Sequence, residues 1–571
     1  MTTAMPAGAG QETIPASAQH DSRDQSANDA YPFLLGSILL SGIILLVVQY
    51  GTMGSLWLDE LFIVLNVTTR EWNEILRPLA YHQVTPIGFL VATKLGIALL
   101  GENEAGLRLF PFACAIASLF LFWRVCARFL EPASRLGAMA IFCWSPTLLW
   151  NARNVKQYSG DVMVCLLLVL LALRVQSSRP TVRSVVLTAF AGSFAMLFSQ
   201  PAVLVGGMLV AVLCLQRFKR GGSKREIGIV ASAWLATAGI VTATSLMLSP
   251  LDTREFMRAG WSGRGFLPAG PEALVWLPER LADLLGFFVG RFQADTTEEI
   301  LVAGFFGVLS AIGLVYLTRR DASKAAILCA PVMAGILASA ARILPLSGRV
   351  SIYMGPILLI LAMAAWDQLF ALAPRRWKKW KGVFVVGSAA VPAAILLLFI
   401  RFPDRREETR PVLEEVRSYW QSGDEIFVPP SVVPAMRFYG KRLGFEEWHQ
   451  GKPGGRSLRV QLNELDRLRG RPRVWVVFTH TVPCNQTLMR SYLETIGREI
   501  MRIDDPYGNT GKSAATAFLY DLSDAERLSR SNPGVFPLPP RVGEHCGYPP
   551  DRPWDMARER MGRIGDLLGR L

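Results

Sequence analysis

Apolar runs of near membrane-spanning length recur through the first 400 residues, and this recurrence restricts the chain to few folds. About 20 helical residues cross the hydrocarbon core of a bilayer. The runs cover residues 32–50, 107–125, 136–150, 162–175, 185–199, 202–215, 227–248, 300–317, 325–341, 351–370 and 383–400. They predict a multi-pass α-helical membrane protein with about 11 transmembrane helices. The composition agrees: 51% of the residues are hydrophobic and only 19% are charged, too apolar for an ordinary soluble chain.

Lys and Arg outnumber Asp and Glu, giving a formal charge of +14. A nucleic-acid partner is not the reading, because the basic residues sit in short loops between apolar runs. These loops cover 124–135, 174–183, 217–225, 319–324 and 375–381. Basic loops stay on the cytoplasmic side, so the N-terminus is expected inside and the C-terminus outside. One further run, 84–100, would break this pattern if it crossed. It is read as a helix lying at the outer interface, within a long first outer loop covering 51–106.

Residues 1–30 are rich in Ala, Ser, Gln and Gly, lack a basic leader, and are expected to form a disordered cytoplasmic tail. Residues 31–400 form the membrane domain. After Arg401 charges return, and 401–571 is expected to be a periplasmic soluble α/β domain. Its strands are expected at 426–428, 474–478 and 517–520, and its helices at 432–439 and 487–500. Six of the 8 cysteines lie in or beside apolar runs and read as inert thiols; Cys484 and Cys546 lie in the polar region, where a disulfide between them is plausible.

The outer segments carry the chemistry. Asp59 and Glu60 follow the first apolar run. Carboxylates are costly beside hydrocarbon and often mark a site. Asp59 can act as a general base toward an acceptor hydroxyl. Equally, the two acids can cap and stabilise the first turn of the helix that follows. The second constellation is Arg153, Lys156 and Tyr158, with Asp161 just inside the next apolar run. Arg and Lys at a membrane surface suit a phosphate, and they also snorkel to headgroups. Arg108 and Arg349 each open an apolar run from the outside, and either could hold a phosphate or pair with Asp59 or Glu60. His82 and Gln83 are candidate sugar or phosphate contacts. A long loop at 249–299 carries Trp261, Arg264, Trp276, Glu279 and Arg280, suited to sugar faces, to an interfacial belt or to a lid. Gly508 to Ser513 resembles the end of a phosphate loop, but Pro506 stands where its first glycine belongs.

Taken together, Asp59-Glu60, Thr85-Pro86-Ile-Gly-Phe, Gly-Leu-Arg108-Leu-Phe-Pro, Ala-Arg153-Asn-Val-Lys156-Gln-Tyr158 and Gly348-Arg349 through Tyr353 to Pro356 resemble the GT-C membrane glycosyltransferases. The likeness is specifically to bacterial members of glycosyltransferase family 39, which includes protein O-mannosyltransferases and the aminoarabinose transferase acting on lipid A. It covers roughly 32–400. The chain has Thr85-Pro86 where many relatives carry a proline pair.

The resemblance implies an inverting glycosyltransferase of the bacterial inner membrane, moving a hexosyl or pentosyl group from a polyprenyl-phosphate donor. The acceptor would be a hydroxyl of a glycan, lipid or protein on the periplasmic face. Asp59 and Glu60 would be the catalytic acids. Arg153, Lys156, Tyr158, Arg108 and Arg349 would hold the donor phosphate. His82, Gln83 and Asp161 would bind substrate. No cofactor is required, although two neighbouring acids could hold a divalent cation. A flippase or transporter, and a polymerase or ligase of lipid-linked glycans, are the alternative classes.

Overall fold

The computed structural model describes residues 16–177, 181–220, 225–263, 265–290, 297–374, 405–451, 458–481, 483–508 and 514–524, with scattered positions of 376–397 and residue 527 besides. Most of the last expected span, together with Arg264 and Cys546, lies outside the described residues.

Among the described residues fourteen α-helices precede residue 373: α1 (Ala16–Gly51), α2 (Leu58–Thr68), α3 (Ile87–Leu100), α4 (Glu104–Cys126), α5 (Pro132–Cys143), α6 (Pro146–Ala152), α7 (Tyr158–Ser177), α8 (Val182–Met196), α9 (Pro201–Arg220), α10 (Arg225–Leu248), α11 (Leu251–Trp261), α12 (Ala273–Gly290), α13 (Thr297–Ala340) and α14 (Gly355–Leu372). Among the described residues, 7 helices are long and apolar enough to cross a membrane. The difference from the eleven expected has identifiable causes. The run 136–150 is split, because Ser145-Pro146 ends α5 and starts α6, the Ser145 hydroxyl capping the Leu148 N–H. The run 185–199 gives only the shorter apolar helix α8.

Conversely, α13 holds two expected runs. Its path breaks at Asp321, whose backbone is extended (φ −158°) and whose carboxylate accepts the Lys324 N–H at 3.0 Å. That break coincides with the expected basic loop. The first helix starts at Ala16, within the segment read as a tail. Phe33, Leu40 and Val48 on α1, and Phe190 and Phe194 on α8, are exposed large apolar side chains, a surface that suits lipid rather than water.

At the core of the bundle, α14 is buried along nearly its whole length and packs on α13, α5 and α12. Its Asp367 accepts from the Glu131 N–H (3.0 Å) and the Ser134 hydroxyl (2.7 Å), and so caps α5. Helix α12 was expected to be loop. Glu279, Arg280 and Asp283 dilute its apolar pattern, yet Leu284, Leu285, Phe288 and Val289 are buried. The Ser145 and Thr147 hydroxyls bond the carbonyls of Phe288 and Phe287, tying α6 to the end of α12.

The 14 residues of α3 span about 21 Å, short of the roughly 30 Å hydrocarbon core, as the reading of 84–100 as a loop helix requires. Close approach to α4 fixes its position: a Cβ at Gly96 would lie 2.2 Å from the Gly106 carbonyl oxygen.

The C-terminal domain is a five-stranded sheet in the order β2-β1-β3-β5-β4, built from β1 (Glu425–Val428), β2 (His449–Gln450), β3 (Val474–Thr479), β4 (Arg498–Ile503) and β5 (Ala515–Asp521). The β1–β2 and β1–β3 pairs are parallel; β3–β5 and β4–β5 are antiparallel. Its described helices are Thr409–Ser418, Leu458–Asp466 and Pro483–Ile496, and the helix expected at 432–439 is a run of short helical segments, Val433–Ala435, Met436–Gly440 and Lys441–Leu443. The helix expected to run to residue 500 stops at Ile496. Gly497 follows, and β4 begins at Arg498. Cys484 is disulfide-bonded.

This domain does not hang free. One buried apolar cluster joins Leu56, Leu61, Val64, Phe89 and Leu107 of the membrane part to Val412, Leu413, Val433, Met436 and Tyr439 of the domain. Polar contacts reinforce it. The backbone N–H groups of Ser55, Leu56 and Leu58 donate to Glu408 Oε2, the Tyr439 hydroxyl and Glu407 Oε2, each at 2.8 Å. Arg410 pairs with Glu104 at 2.5 Å, and Arg442 with Glu102 at 2.6 Å. The first loop and the domain therefore share one end of the helix bundle.

Candidate active site

The first loop delivers Asp59 through the start of α2. Trp57 is extended (φ −82°, ψ 166°), and its N–H is accepted by Glu60 Oε2 at 3.2 Å. Thus Glu60, not Asp59, supplies the local cap. Asp59 stands in the first turn, where the helix dipole favours its negative charge.

The two adjacent acids have opposite fates. Glu60 has no exposed surface and forms a buried ion pair with Arg108 at 3.0 Å. Its Oε1 also accepts the Val155 N–H at 2.7 Å. Arg108 spends its remaining donors on the carbonyls of Gly54 (2.7 Å) and Ser55 (3.1 Å). The pair thus clamps the first loop, α4 and the turn 153–157 together. The sequence reading grouped Glu60 with the catalytic acids and Arg108 with the phosphate ligands. In the structure both are buried, and their side chains bond to each other and to the backbone of Gly54, Ser55, Trp57 and Val155.

Asp59 remains partly open. Its Oδ2 accepts from Arg349 Nη2 at 2.5 Å, with side-chain exposures of 27% for Asp59 and 32% for Arg349. The Arg349 guanidinium sits over Trp57 (5.0 Å to the ring centre) and Tyr158 (5.9 Å). It is placed there by the short 3-10 helix Gly348–Met354, which starts at a left-handed glycine (φ +33°).

Lys156 is buried, and its Nζ donates to Gln83 Oε1 at 2.9 Å. Burial pushes its pKa down to about 8, helped by the like charge of Arg349 and opposed by Asp59 and Glu60. Burial alone would raise the Asp59 carboxyl. Lys156, Arg349 and His480 outweigh it and hold Asp59 below its ordinary value. Asp59 is therefore ionised and faces two cations.

The other expected residues fall around this centre. Arg153 is buried and donates to the Thr52 hydroxyl at 3.2 Å. Tyr158 opens α7 beneath Arg349. Asp161, one turn deeper, is held by the Ser199 hydroxyl. Gln83 orients Lys156, and its Nε2 donates to the Tyr81 carbonyl at 3.0 Å. His82 stacks on Phe256 of α11 at 4.4 Å, with Nδ1 3.4 Å from the Thr253 hydroxyl, so it ties the loop to α11. Trp276 and Arg280 stack on each other on α12, 5.7 Å apart.

Sequence reasoning missed Arg406, which stacks over Trp150 at 5.9 Å, and Glu407, which pairs with His480 at 2.5 Å while capping α2. No spacing signal marks either one; they matter through tertiary contact alone. Several buried polar atoms have no partner among the described residues: Thr85 Oγ1, Asn154 Nδ2, Gln157 Oε1, Asp161 Oδ1 and the Tyr353 hydroxyl. Such atoms are costly unless a ligand or water meets them. The adjacent acids each face their own arginine, Glu60 facing Arg108 and Asp59 facing Arg349. Among the described residues no three His, Cys, Asp or Glu side chains gather in a metal-like group.

A helical membrane bundle carrying a small sheet domain over a long first loop is the GT-C membrane fold. Three solved structures show it. ArnT from Cupriavidus metallidurans in the apo state matches with a TM-score of 0.53 at 12% identity, covering 89% of this chain and 100% of that one. The same protein bound to undecaprenyl phosphate matches at 0.50 and 13%, covering 87% and 99%. The archaeal oligosaccharyltransferase AglB from Archaeoglobus fulgidus, in complex with an inhibitory peptide and a dolichol-phosphate, matches at 0.50 and 12%, covering 87% and 75%. No family model and no curated protein matches the sequence. At these identities the likeness is one of fold.

Proposed function

We propose that this protein is an inverting glycosyltransferase that moves a sugar from a polyprenyl-phosphate donor to an acceptor hydroxyl. The observation that carries this reading is the ionised Asp59 carboxylate facing Lys156 and Arg349 at the end of the bundle where loop and domain meet. Support comes from the fold shared with structures that hold undecaprenyl phosphate and dolichol-phosphate. The basic loops support a bacterial inner-membrane location with the site on the periplasmic face.

The chemistry follows from the contacts. A donor phosphate entering between Arg349 and Lys156 competes with Asp59 for the Arg349 fork. Releasing that ion pair makes Asp59 more basic at the moment an acceptor arrives. The acceptor oxygen attacks the anomeric carbon, the bond from that carbon to the phosphate oxygen breaks, and the hydroxyl proton passes to Asp59. The bonding electrons leave on the polyprenyl phosphate, whose new charge Arg349 and Lys156 stabilise. In this reading Tyr158, Arg153 and the unpartnered atoms of Thr85, Asn154 and Asp161 would meet the polar donor headgroup.

The test is transfer of radiolabelled sugar from a polyprenyl-phosphate donor pool in membranes, wild type against Asp59→Asn. Loss on the order of a hundredfold or more supports the reading. Unchanged transfer sinks it.

A further inference from the structure

A cavity lies apart from Asp59. It has a volume of about 650 Å³ and opens between the C-terminal half of α2, the turn at Ala80-Tyr81 and residues 437–448 of the C-terminal domain. That volume is within the range of ordinary small-ligand sites, roughly 300–1,000 Å³.

Its walls combine two chemistries. Tyr81, Phe445 and Trp448 offer aromatic surface, against which the C–H face of a sugar ring packs. Arg70, Arg437 and Lys441 offer positive charge against the single carboxylate of Glu446. Lys441 is exposed and makes no side-chain hydrogen bond or ion pair among the described residues. Arg437 donates to the Tyr81 hydroxyl at 2.7 Å, bringing cation and ring together on one wall. The net positive, aromatic lining selects an acidic saccharide over a neutral one.

The backbone beside the cavity is strained. Tyr81 (φ +62°) and His82 (φ +50°) are consecutive left-handed residues that are not glycine. Such geometry persists only where surrounding contacts enforce it. Here Phe62 stacks on the Tyr81 ring at 4.9 Å, and Phe256 stacks on His82. The same turn continues into Gln83, which holds Lys156. Along α2 the seven steps from Asp59 to Asn66, a cavity residue, cover about 10 Å, the reach of a short oligosaccharide.

We propose that this cleft is the acceptor site and that it takes an oligosaccharide carrying a carboxylate or phosphate. The word acceptor rests on the transfer reaction proposed above; the binding does not.

The experiment uses the purified full chain in detergent micelles, with tryptophan fluorescence reporting titration by trigalacturonate and by maltotriose. Wild type is expected to bind trigalacturonate at least tenfold more tightly than maltotriose. Lys441→Glu and Trp448→Ala are each expected to weaken trigalacturonate at least tenfold while elution volume and Tm stay put. Because Lys441 is exposed, its reversal leaves the fold intact. Asp59→Asn is expected to bind trigalacturonate like wild type while losing transfer. Equal binding of the two sugars, no binding, or trigalacturonate binding unmoved by both cleft variants overturns the cleft assignment. Binding as expected in a protein that transfers from no polyprenyl-phosphate donor overturns the transfer reading and leaves the saccharide site standing.

Discussion

Arg349 and Asp59 stand 290 positions apart in the chain, and their side chains meet at 2.5 Å. One comes from the first loop and the other from the entrance to the buried helix α14. The contact is polar, partly open and shared with two aromatic faces, so an incoming anion can compete for it.

Replacing Arg349 tests that sharing. Arg349→Lys keeps the charge but loses the planar fork and the stacking on Trp57 and Tyr158. Transfer should fall by at least tenfold in the Lys variant and further in Arg349→Gln. In both, the apparent carboxylate pKa on the acid limb of the rate profile should rise, because the Arg349 ion pair that helps hold Asp59 low is weakened or gone. An acid limb that does not move would mean that Arg349 does not act on Asp59.

Lys156 should set the alkaline limb of the same profile. With a pKa of about 8 it carries its charge below that pH and loses it above, so transfer should decline as pH rises through 8. Stability should move the other way. Between about 8 and the ordinary lysine value of 10.5, the unfolded chain keeps a proton that the folded chain has released, so the Lys156 contribution rises with pH. Lys156→Met should remove both trends, measured as a rate profile and as Tm against pH. Gln83→Ala should leave the lysine charged but poorly aimed, reducing transfer without abolishing it.

The Glu60–Arg108 pair gives the opposite kind of result. Glu60→Gln or Arg108→Gln alone leaves one buried partner without its countercharge, a cost of about 3–5 kcal/mol seen as lowered Tm. The double replacement should be less destabilising than the sum of the two. A large loss of transfer at unchanged Tm in Glu60→Gln would instead mark Glu60 as a catalytic acid.

Contacts between the first loop and the sheet domain predict a shared fate under proteolysis. Glu408→Ala removes the acceptor of the Ser55 N–H, and Gly54→Val drives a side chain into Glu408, whose Oε1 would lie 2.6 Å from the added Cβ. Both should increase cleavage within 51–106 in limited digestion, while cleavage in the membrane helices stays as in wild type.

Much of this was legible in the residues. Asp59, Lys156 and Arg349 could be picked as site candidates because charge beside membrane-length apolar runs is rare and costly. The sheet strands 474–478 and 517–520 could be read because a buried strand in a soluble domain is a short apolar run. What stayed hidden depends on partners distant in sequence. Glu60 and Arg108 look identical in kind to their neighbours, and only their mutual burial distinguishes them. Helix α12 escaped because its polar residues lower the average while its buried face is supplied by α13 and α14. Edge strand β4 alternates half-buried and exposed positions in Arg-Glu-Ile-Met-Arg-Ile, and the helix pattern before it ran on through Gly497.

The N–H groups at the start of α2 wait for acceptors that lie 349 to 383 residues further along the chain. At roughly 5–20 residues per second of synthesis, 349 residues take roughly 20–70 s. During that interval the first loop lacks its cap and its apolar cover, and for the first 290 residues it also lacks the Arg349 partner of Asp59. A newly made molecule therefore passes through a long period in which Asp59 exists and its surroundings do not. The order of synthesis delays the finished surroundings of Asp59 until Tyr439 has emerged.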